Sequence, residues 1–319
     1  MEESDWSSDV CSSDLTATQL WLLSTLGGAP RSLTTCGDKD RQAAWSPQGD
    51  RVAFIGKREN AGQMDESPQL YVIAADGGEA RRVSKIAAGV EAFKWMPDGK
   101  HIVCLAWVWP GLKGMKAQDR QHVEFAKRRE SGYATSDGYY RYWDQNLPMG
   151  RVVHLLRVNV DTGATIDLLE GTPYQLPRAD LNAEMFDISQ DGRRIVFMYD
   201  PAAEKRARNR HALAALTLAS RKIAPLLDKP KWDFSSPRFS PDGRHIAVIA
   251  TPQFPKHTLL GRLGIVDSDG SWRVLDAEWD TDVTGPLRWS SAGDAVYFTA
   301  ESRGRCHVWR RRPGGDSPE

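Results

Sequence analysis

The sequence predicts an all-β protein built from repeated four-stranded units. The first observation is a turn pattern, in which a large apolar residue precedes a glycine by four positions and an apolar strand follows. The second is the recurrence of this pattern at intervals close to fifty residues, and the third is a second turn signal after each copy. One small sheet cannot bury both of its faces, so repeated units of this length stack around an axis as the blades of a β-propeller.

The clearest copy of the turn spans residues 239–243, with the sequence Phe-Ser-Pro-Asp-Gly. Proline presets the backbone angle at the first central position of a type I turn, aspartate favours the second, and glycine tolerates the position that follows. The apolar, β-branched run at 246–250 predicts a buried strand directly after the turn. Five copies occur, and they span 45–49, 95–99, 188–192, 239–243 and 289–293.

The spacing of the turn glycines predicts the number of units. Successive glycines lie 50, 93, 51 and 50 residues apart, so the long interval is one period that carries about 43 extra residues. Asp-Gly and Gly-Gly pairs between apolar runs mark a second hairpin in the units. We therefore predict four full blades and two partial ones. A seven-bladed ring of this period needs about 350 residues, so we expect an incomplete ring with unpaired strand edges at its ends.

The chain divides into three parts on this interpretation. Residues 1–15 are rich in Ser and Asp and fit neither the repeat nor a signal peptide, so we interpret them as a non-native leader. The propeller is predicted to cover 16–312, with a partly helical insertion at 109–150, and 313–319 forms a tail.

Composition narrows the classes of function. The chain has 42 basic and 42 acidic residues, which argues against a protein that binds nucleic acid through a basic surface. No run of 18 apolar residues is present, so we expect no membrane span. The four cysteines form no C-x-x-C pair, and we expect no metal, no cofactor and no disulfide framework. A cytoplasmic protein fits these features, and a periplasmic one stays open because the native N-terminus is not visible.

The insertion is where the repeat is interrupted. Residues 116–130 contain no turn residues and predict a helix, and an aromatic-rich stretch follows. Long insertions on rigid scaffolds often carry function, so we take its end as a substrate or partner contact. The candidates are Arg141, Tyr142, Trp143 and Asp144, since an arginine can hold a carboxylate or carbonyl and a tryptophan can form an apolar wall. The alternative is that the aromatic residues pack on their own blade and the charges are solvated.

The turn and its buried strand resemble the TolB-like, WD-like propeller repeat. Two stretches narrow the resemblance to one family of propellers. The first is Tyr-Arg-Tyr-Trp-Asp at 140–144, which precedes Arg-Val-Val-His-Leu at 151–155, and the second is the segment 285–304. Both are similar to the N-terminal propeller of the prolyl oligopeptidase family of serine peptidases, in its acylaminoacyl-peptidase or dipeptidyl-peptidase branch. The resemblance covers about residues 19–312.

This resemblance implies a C-terminal α/β-hydrolase domain that carries a Ser-Asp-His triad and acts on short peptides. Such domains contain a G-x-S-x-G turn, and this chain has none. We therefore expect no catalytic residue here, and no activity from the chain alone. Acidic residues on propeller loops bind the amino terminus of the substrate in the dipeptidyl branch, which makes Glu184 a further contact candidate. The resemblance also leaves a homo-oligomer open.

The first functional hypothesis is thus a propeller that gates access of short peptides to a serine hydrolase domain. The second is a stand-alone TolB-like propeller that binds a protein or another ligand, because propellers host many functions. The insertion with its sequence at 140–144 favours the first, since a minimal binding propeller does not need it.

Overall fold

The computed structural model describes residues 18–35, 39–60, 62–129, 132, 134, 141–142, 145–146, 149–201, 210–253, 259–275 and 279–314. Strands dominate these residues and form small antiparallel sheets arranged as a β-propeller. Within this part of the chain, four sheets have four strands, and a two-stranded sheet and a three-stranded sheet flank them. The prediction of four full blades and two smaller units is confirmed.

The first half of the described chain contains the small first sheet and two blades, named blades 1 and 2. The small sheet pairs β1 (Trp21–Leu22) with β2 (Arg31–Ser32). Blade 1 has β3 (Arg41–Trp45), β4 (Arg51–Gly56), the side hairpin β5 (Glu59–Asn60) and β6 (Gln63–Met64), then β7 (Gln69–Ala74) and β8 (Arg81–Arg82). Blade 2 has β9 (Ala92–Trp95), β10 (His101–Val108), helix α1 (Met115–Ala126), the pair β11 (Arg141–Tyr142) and β12 (Gln145–Asn146), then β13 (Val152–Asn159) and β14 (Thr165–Asp167).

Blades 3 and 4 and the three-stranded sheet, named blade 5, form the second half. Blade 3 has β15 (Phe186–Ile188), β16 (Arg194–Tyr199), β17 (Ala212–Thr217) and β18 (Lys222–Leu227). Blade 4 has β19 (Trp232–Phe239), β20 (His245–Pro252), β21 (Arg262–Asp267) and β22 (Trp272–Val274). Blade 5 has β23 (Thr284–Trp289), β24 (Val296–Ser302) and β25 (Arg305–Arg311).

The predicted turns join the first and second strands of the blades. Gly243 has φ 68°, a conformation that glycine adopts without strain, and its N–H donates to the carbonyl of Ser240 at 2.8 Å. The Ser240 hydroxyl donates to Asp242 Oδ1 at 2.6 Å and accepts from the His245 N–H at 3.0 Å. These bonds are all local, so the turn closes without a contact from another blade. The glycines at the other four copies also have positive φ.

Large apolar residues before the turn bond to the neighbouring blade in two copies of the repeat. The Trp95 indole N–H donates to the carbonyl of Ala44 in blade 1 at 3.1 Å, and that of Trp289 donates to the carbonyl of Arg238 in blade 4 at 3.0 Å. Phe239 is buried. Trp45 differs, because its side chain is 52% exposed.

First strands of the blades lie side by side around the axis, where β3 contacts β9, and β19 contacts both β15 and β23. The register of β3, β19 and β23 shifts within each strand. Gln42 and Ser236 take left-handed backbone conformations (φ 54° and 53°) at these shifts, each three residues before the large apolar residue. Such bulges bend a strand and redirect its side chains.

Second and third strands of the blades supply the hydrophobic core. Phe54, Phe197 and Phe298 are fully buried on second strands, and Cys104, also on a second strand, is a buried free thiol. A single cluster joins residues of blades 2, 3 and 4, so the core continues from blade to blade. Burial of one such aromatic side chain contributes about 2–3 kcal/mol.

The insertion of blade 2 contains a helix, as predicted, but the helix ends at Ala126 rather than at residue 130. Gln118 attaches it: its Oε1 accepts the Trp109 N–H and its Nε2 donates to the Trp109 carbonyl, both at 2.9 Å. Trp109 also packs edge-on against Phe125, with ring centroids 5.5 Å apart. The side-chain amide thus satisfies a backbone that leaves the sheet at this point.

The two faces of the propeller differ in the length of their connections. The turns between first and second strands, and those between third and fourth strands, are short and share one face, named the turn face. Strand direction alternates within each blade, so the connections after each second strand and before each first strand emerge on the opposite face. This loop face carries the described parts of the insertion 109–150 and the segment 168–185. No helix of the described residues is long and apolar enough to cross a membrane.

Candidate functional site: a charged cavity on the loop face

A cavity of about 730 Å³ opens on the loop face between blades 3, 4 and 5. Its walls come from the segment before β15, the junction of β16 and β17, the bulge of β19 and the start of β23. Met185, Met198 and Pro286 provide apolar surface, and Glu184 and Arg288 provide opposite charges. A concave, largely apolar site with a few convergent polar groups is typical of ligand pockets.

Glu184 is the acidic residue that faces this cavity. It lies in the 3₁₀ helix Ala183–Met185, where its N–H donates to Oδ1 of Asn182 at 2.8 Å. Its Oε2 pairs with the guanidinium of Arg238 and lies 3.8 Å from Nη1 of Arg288. The side chain is 30% exposed, and Oε1 makes no hydrogen bond to any described residue. A ligand could therefore bind to Oε1 without displacing Arg238.

Further charges extend the site across the inner strands. Lys94 Nζ on β9 donates to the Phe186 carbonyl at 2.7 Å and to Asp187 Oδ1 at 2.9 Å. Asp187 Oδ2 accepts the Phe239 N–H at 2.9 Å. We call Lys94, Glu184, Asp187, Arg238 and Arg288 the charge network. It joins blades 2, 3, 4 and 5.

Burial lowers the pKa values of the two inner cations, Lys94 and Arg238. It lowers the pKa of Lys94 to about 8, and the neighbouring Asp187 carboxylate opposes this shift. Burial also lowers the pKa of Arg238, against the attraction of Asp187 and Glu184. Arg238 Nε finds no hydrogen-bond partner in the described part of the chain. Each cation thus depends on the acids beside it, because a buried charge without a partner is costly.

His211 adds a neutral polar group to the cavity wall. Its backbone N–H donates to Asp233 Oδ1 at 3.0 Å, and the buried Nε2 of its ring has no partner among the residues described. Burial lowers the pKa of the imidazole, although Asp233 and Asp200 pull it upward. A neutral ring can donate or accept one hydrogen bond to a ligand.

Of the five residues predicted from the sequence, Glu184 lies in this cavity. The backbones of Arg141 and Tyr142 pair with Asn146 and Gln145 in the insertion. Trp143 and Asp144 lie outside the described residues. Both predicted regions, the insertion and the segment that carries Glu184, emerge on the loop face.

Sequence analysis missed the rest of the charge network, although a signal for it exists. The position directly before the large apolar residue of the repeat holds Ala44, Lys94, Asp187, Arg238 and Arg288. It is charged in four of the five copies and lies on the inner strands that meet around the axis. Alignment on the turn glycine already places these residues in one column, five positions before the glycine, and the charges in that column are the signal.

Another cavity, of about 670 Å³, lies along the hairpin β24–β25. Arg303, Arg305, His307, Val308 and Trp309 line it, and all belong to this one hairpin. It has no acid–base pair and no contribution from a second blade, so it is a weaker candidate. The described residues also contain no group of three or more His, Cys, Asp or Glu side chains that could hold a metal ion.

Sequence comparison finds relatives among bacterial peptidases, whereas no family model matches the chain. Dipeptidyl-peptidase 5 of Porphyromonas gingivalis is 24% identical over 311 residues, which are 91% of this chain and 41% of the relative. The uncharacterized peptidase YuxL of Bacillus subtilis is 29% identical over 187 residues, which are 58% of this chain and 25% of the relative. The chain therefore spans less than half the length of these curated relatives.

Solved structures share the fold at low sequence identity. The acylaminoacyl peptidase of Pyrococcus horikoshii superposes with a TM-score of 0.62 at 15% identity, over 93% of this chain and 40% of that one. TolB from Acinetobacter baumannii gives 0.50 at 15% identity, over 92% of this chain and 57% of that one. The chain is thus a β-propeller that is similar in sequence to bacterial dipeptidyl-peptidases and shares its fold with an acylaminoacyl peptidase and with TolB.

Proposed function

We propose that this chain is the substrate-gating propeller of a serine hydrolase that acts on short peptides, and that it has no catalytic triad of its own. The similarity to a dipeptidyl-peptidase over 91% of this chain but only 41% of that relative supports the proposal. The part of the relative that finds no counterpart here would supply the catalytic domain. Acyl transfer through a serine ester and an oxyanion hole would then take place there.

In this proposal, a short peptide binds at the cavity of the loop face. The Oε1 atom of Glu184 accepts from the free amino terminus of the peptide, and Met185 and Met198 contact its first side chain. Charge-assisted hydrogen bonds of this kind are about twice as strong as neutral ones. The residues 141–144 of the insertion are proposed as further contacts, because the insertion emerges on the same face. A folded protein could not present a chain end to so small a cavity, which would restrict the substrates by size.

The test is binding of a dipeptide amide, such as Ala-Phe amide, and of its N-acetylated form to the purified chain by isothermal titration calorimetry. We expect the free amine to bind at least tenfold more tightly than the acetylated form, and Glu184→Gln to remove this preference. Glu79→Gln is the matched control, since Glu79 is an exposed acid on the turn face. Equal binding of the two peptides by the natural chain would refute the amino-terminal site.

A separate assay concerns catalysis. The purified chain should not hydrolyse acylamino or dipeptidyl chromogenic substrates, and measurable turnover would refute the assignment of chemistry to another domain.

The alternative, a stand-alone TolB-like binding propeller, has the similarity to TolB in its favour. The gene downstream of residue 319 separates the two: a G-x-S-x-G motif a hundred or more codons further on supports the peptidase, and a stop after about one more blade supports the binding module.

A further inference from the structure

Arg238 is a buried arginine that the proposed binding step does not use directly. It is 5% exposed and lies on β19, directly after the bulge of that strand. Its Nη1 donates to the carbonyls of Pro237 at 2.6 Å and Phe186 at 3.4 Å, and its Nη2 pairs with Oε2 of Glu184. The guanidinium is therefore fixed on one side by the backbone of two blades and bound on the other to the carboxylate that faces the cavity.

The backbone that fixes Arg238 is itself held by its neighbours. The carbonyl of Phe186 also accepts from Lys94 Nζ, and Asp187 bonds both Lys94 and the N–H of Phe239. The Trp289 indole N–H donates to the carbonyl of Arg238 at 3.0 Å, which restrains β19 from blade 5. Four blades thus contribute to the position of a single guanidinium.

Glu184 has less support of its own. It belongs to a three-residue 3₁₀ helix, and its side chain extends from that helix into the cavity. The second cation beside it, Arg288, is 58% exposed and lies 3.8 Å from Oε2, and exposed pairs of that kind contribute little. The orientation of the carboxylate therefore depends mainly on Arg238.

We infer that Arg238 is a positioning residue, which holds Oε2 of Glu184 and thereby aims Oε1 at the amino group of a peptide ligand; this role rests on the proposed function. A guanidinium is suited to the role, because its planar fork can bond two carbonyls and a carboxylate in one fixed geometry. A lysine at this position would keep the charge but could not make the same set of bonds.

The test compares Arg238→Lys with Arg194→Lys. Arg194 is the matched control, because its Nη2 also links blade 3 to blade 4, through the carbonyl of Gly243 at 2.5 Å on the turn face. We expect Arg238→Lys to weaken binding of Ala-Phe amide about tenfold or more and to abolish the preference over the acetylated peptide. Arg194→Lys should stay within about twofold of the natural chain. Thermal unfolding followed by circular dichroism verifies that both variants are folded.

A ligand-free readout keeps this inference separate from the proposed function. Carbodiimide-promoted coupling of glycinamide to Glu184, measured by mass spectrometry, should be at least threefold faster in Arg238→Lys, because the carboxylate is no longer held. Faster coupling without any peptide binding would support the positioning role and refute the proposed function. Unchanged coupling, or unchanged peptide affinity and preference in a chain whose binding depends on Glu184, would overturn the role of Arg238.

Discussion

Lys94 should make the protein more stable as the pH rises above about 8. Burial lowers its pKa from 10.5 to about 8 in the folded state, and the side chain is only 20% exposed. Below pH 8 the lysine is protonated in both states, so its contribution is constant. Between pH 8 and 10.5 the unfolded chain retains a proton that the folded chain has released, and a rise in pH therefore favours folding.

The size of the effect follows from the shift. A difference of about 2.5 pKa units, at about 1.36 kcal/mol each, gives a gain of about 3 kcal/mol across this window. Lys94→Met removes the titrating group at nearly the same volume. The free energy of unfolding, measured by urea titration with tryptophan fluorescence at several pH values, should gain this amount in the natural chain relative to the variant.

Lys222→Met is the control, because Lys222 is exposed on β18. This variant should keep the pH dependence of the natural chain. Parallel curves for the natural chain and Lys94→Met between pH 8 and 10 would refute the reasoning, because they would show that Lys94 titrates alike in the folded and unfolded states.

Two further substitutions test the helix and the turn. Gln118→Ala leaves the half-buried N–H of Trp109 without its partner and leaves the Trp109 carbonyl with the Leu112 N–H alone, so we expect a local loss of about 1–2 kcal/mol and faster proteolysis within 109–150, whereas Gln121→Ala should leave cleavage unchanged. Gly243→Ala puts a side chain at φ 68° and 3.0 Å from Arg194 Nη2, so the free energy of unfolding should fall by about 1–2 kcal/mol. Equal stability of Gly243→Ala and the unstrained Gly111→Ala would contradict this account.

The repeat was predictable because its determinants are local. The turn at 239–243 closes through bonds among Ser240, Asp242 and His245, all within five residues of one another. A buried strand after each turn follows from the apolar run alone. Short-range chemistry therefore identified the blades, and their spacing identified the propeller.

The site was harder to predict from the sequence, because its contacts join residues of different blades. Lys94 meets Asp187 over 93 residues of chain, and Glu184 meets Arg238 over 54. Nothing near Glu184 in the sequence shows that its carboxylate is already paired. The end of helix α1 was also misplaced, because 116–130 contains no turn residue that would mark the end of the helix at Ala126.

The pairing of β10 with β13 has a consequence for how this fold can change over time. The two strands stay in unbroken register from His101 opposite Asn159 to Val108 opposite Val152, so the sheet is complete before the insertion begins. The entropic cost of closing a longer loop grows only slowly with its length. One blade can therefore exchange its insertion for another of different size while the ring keeps its geometry, and related propellers can acquire differently shaped loop faces by replacing a single segment.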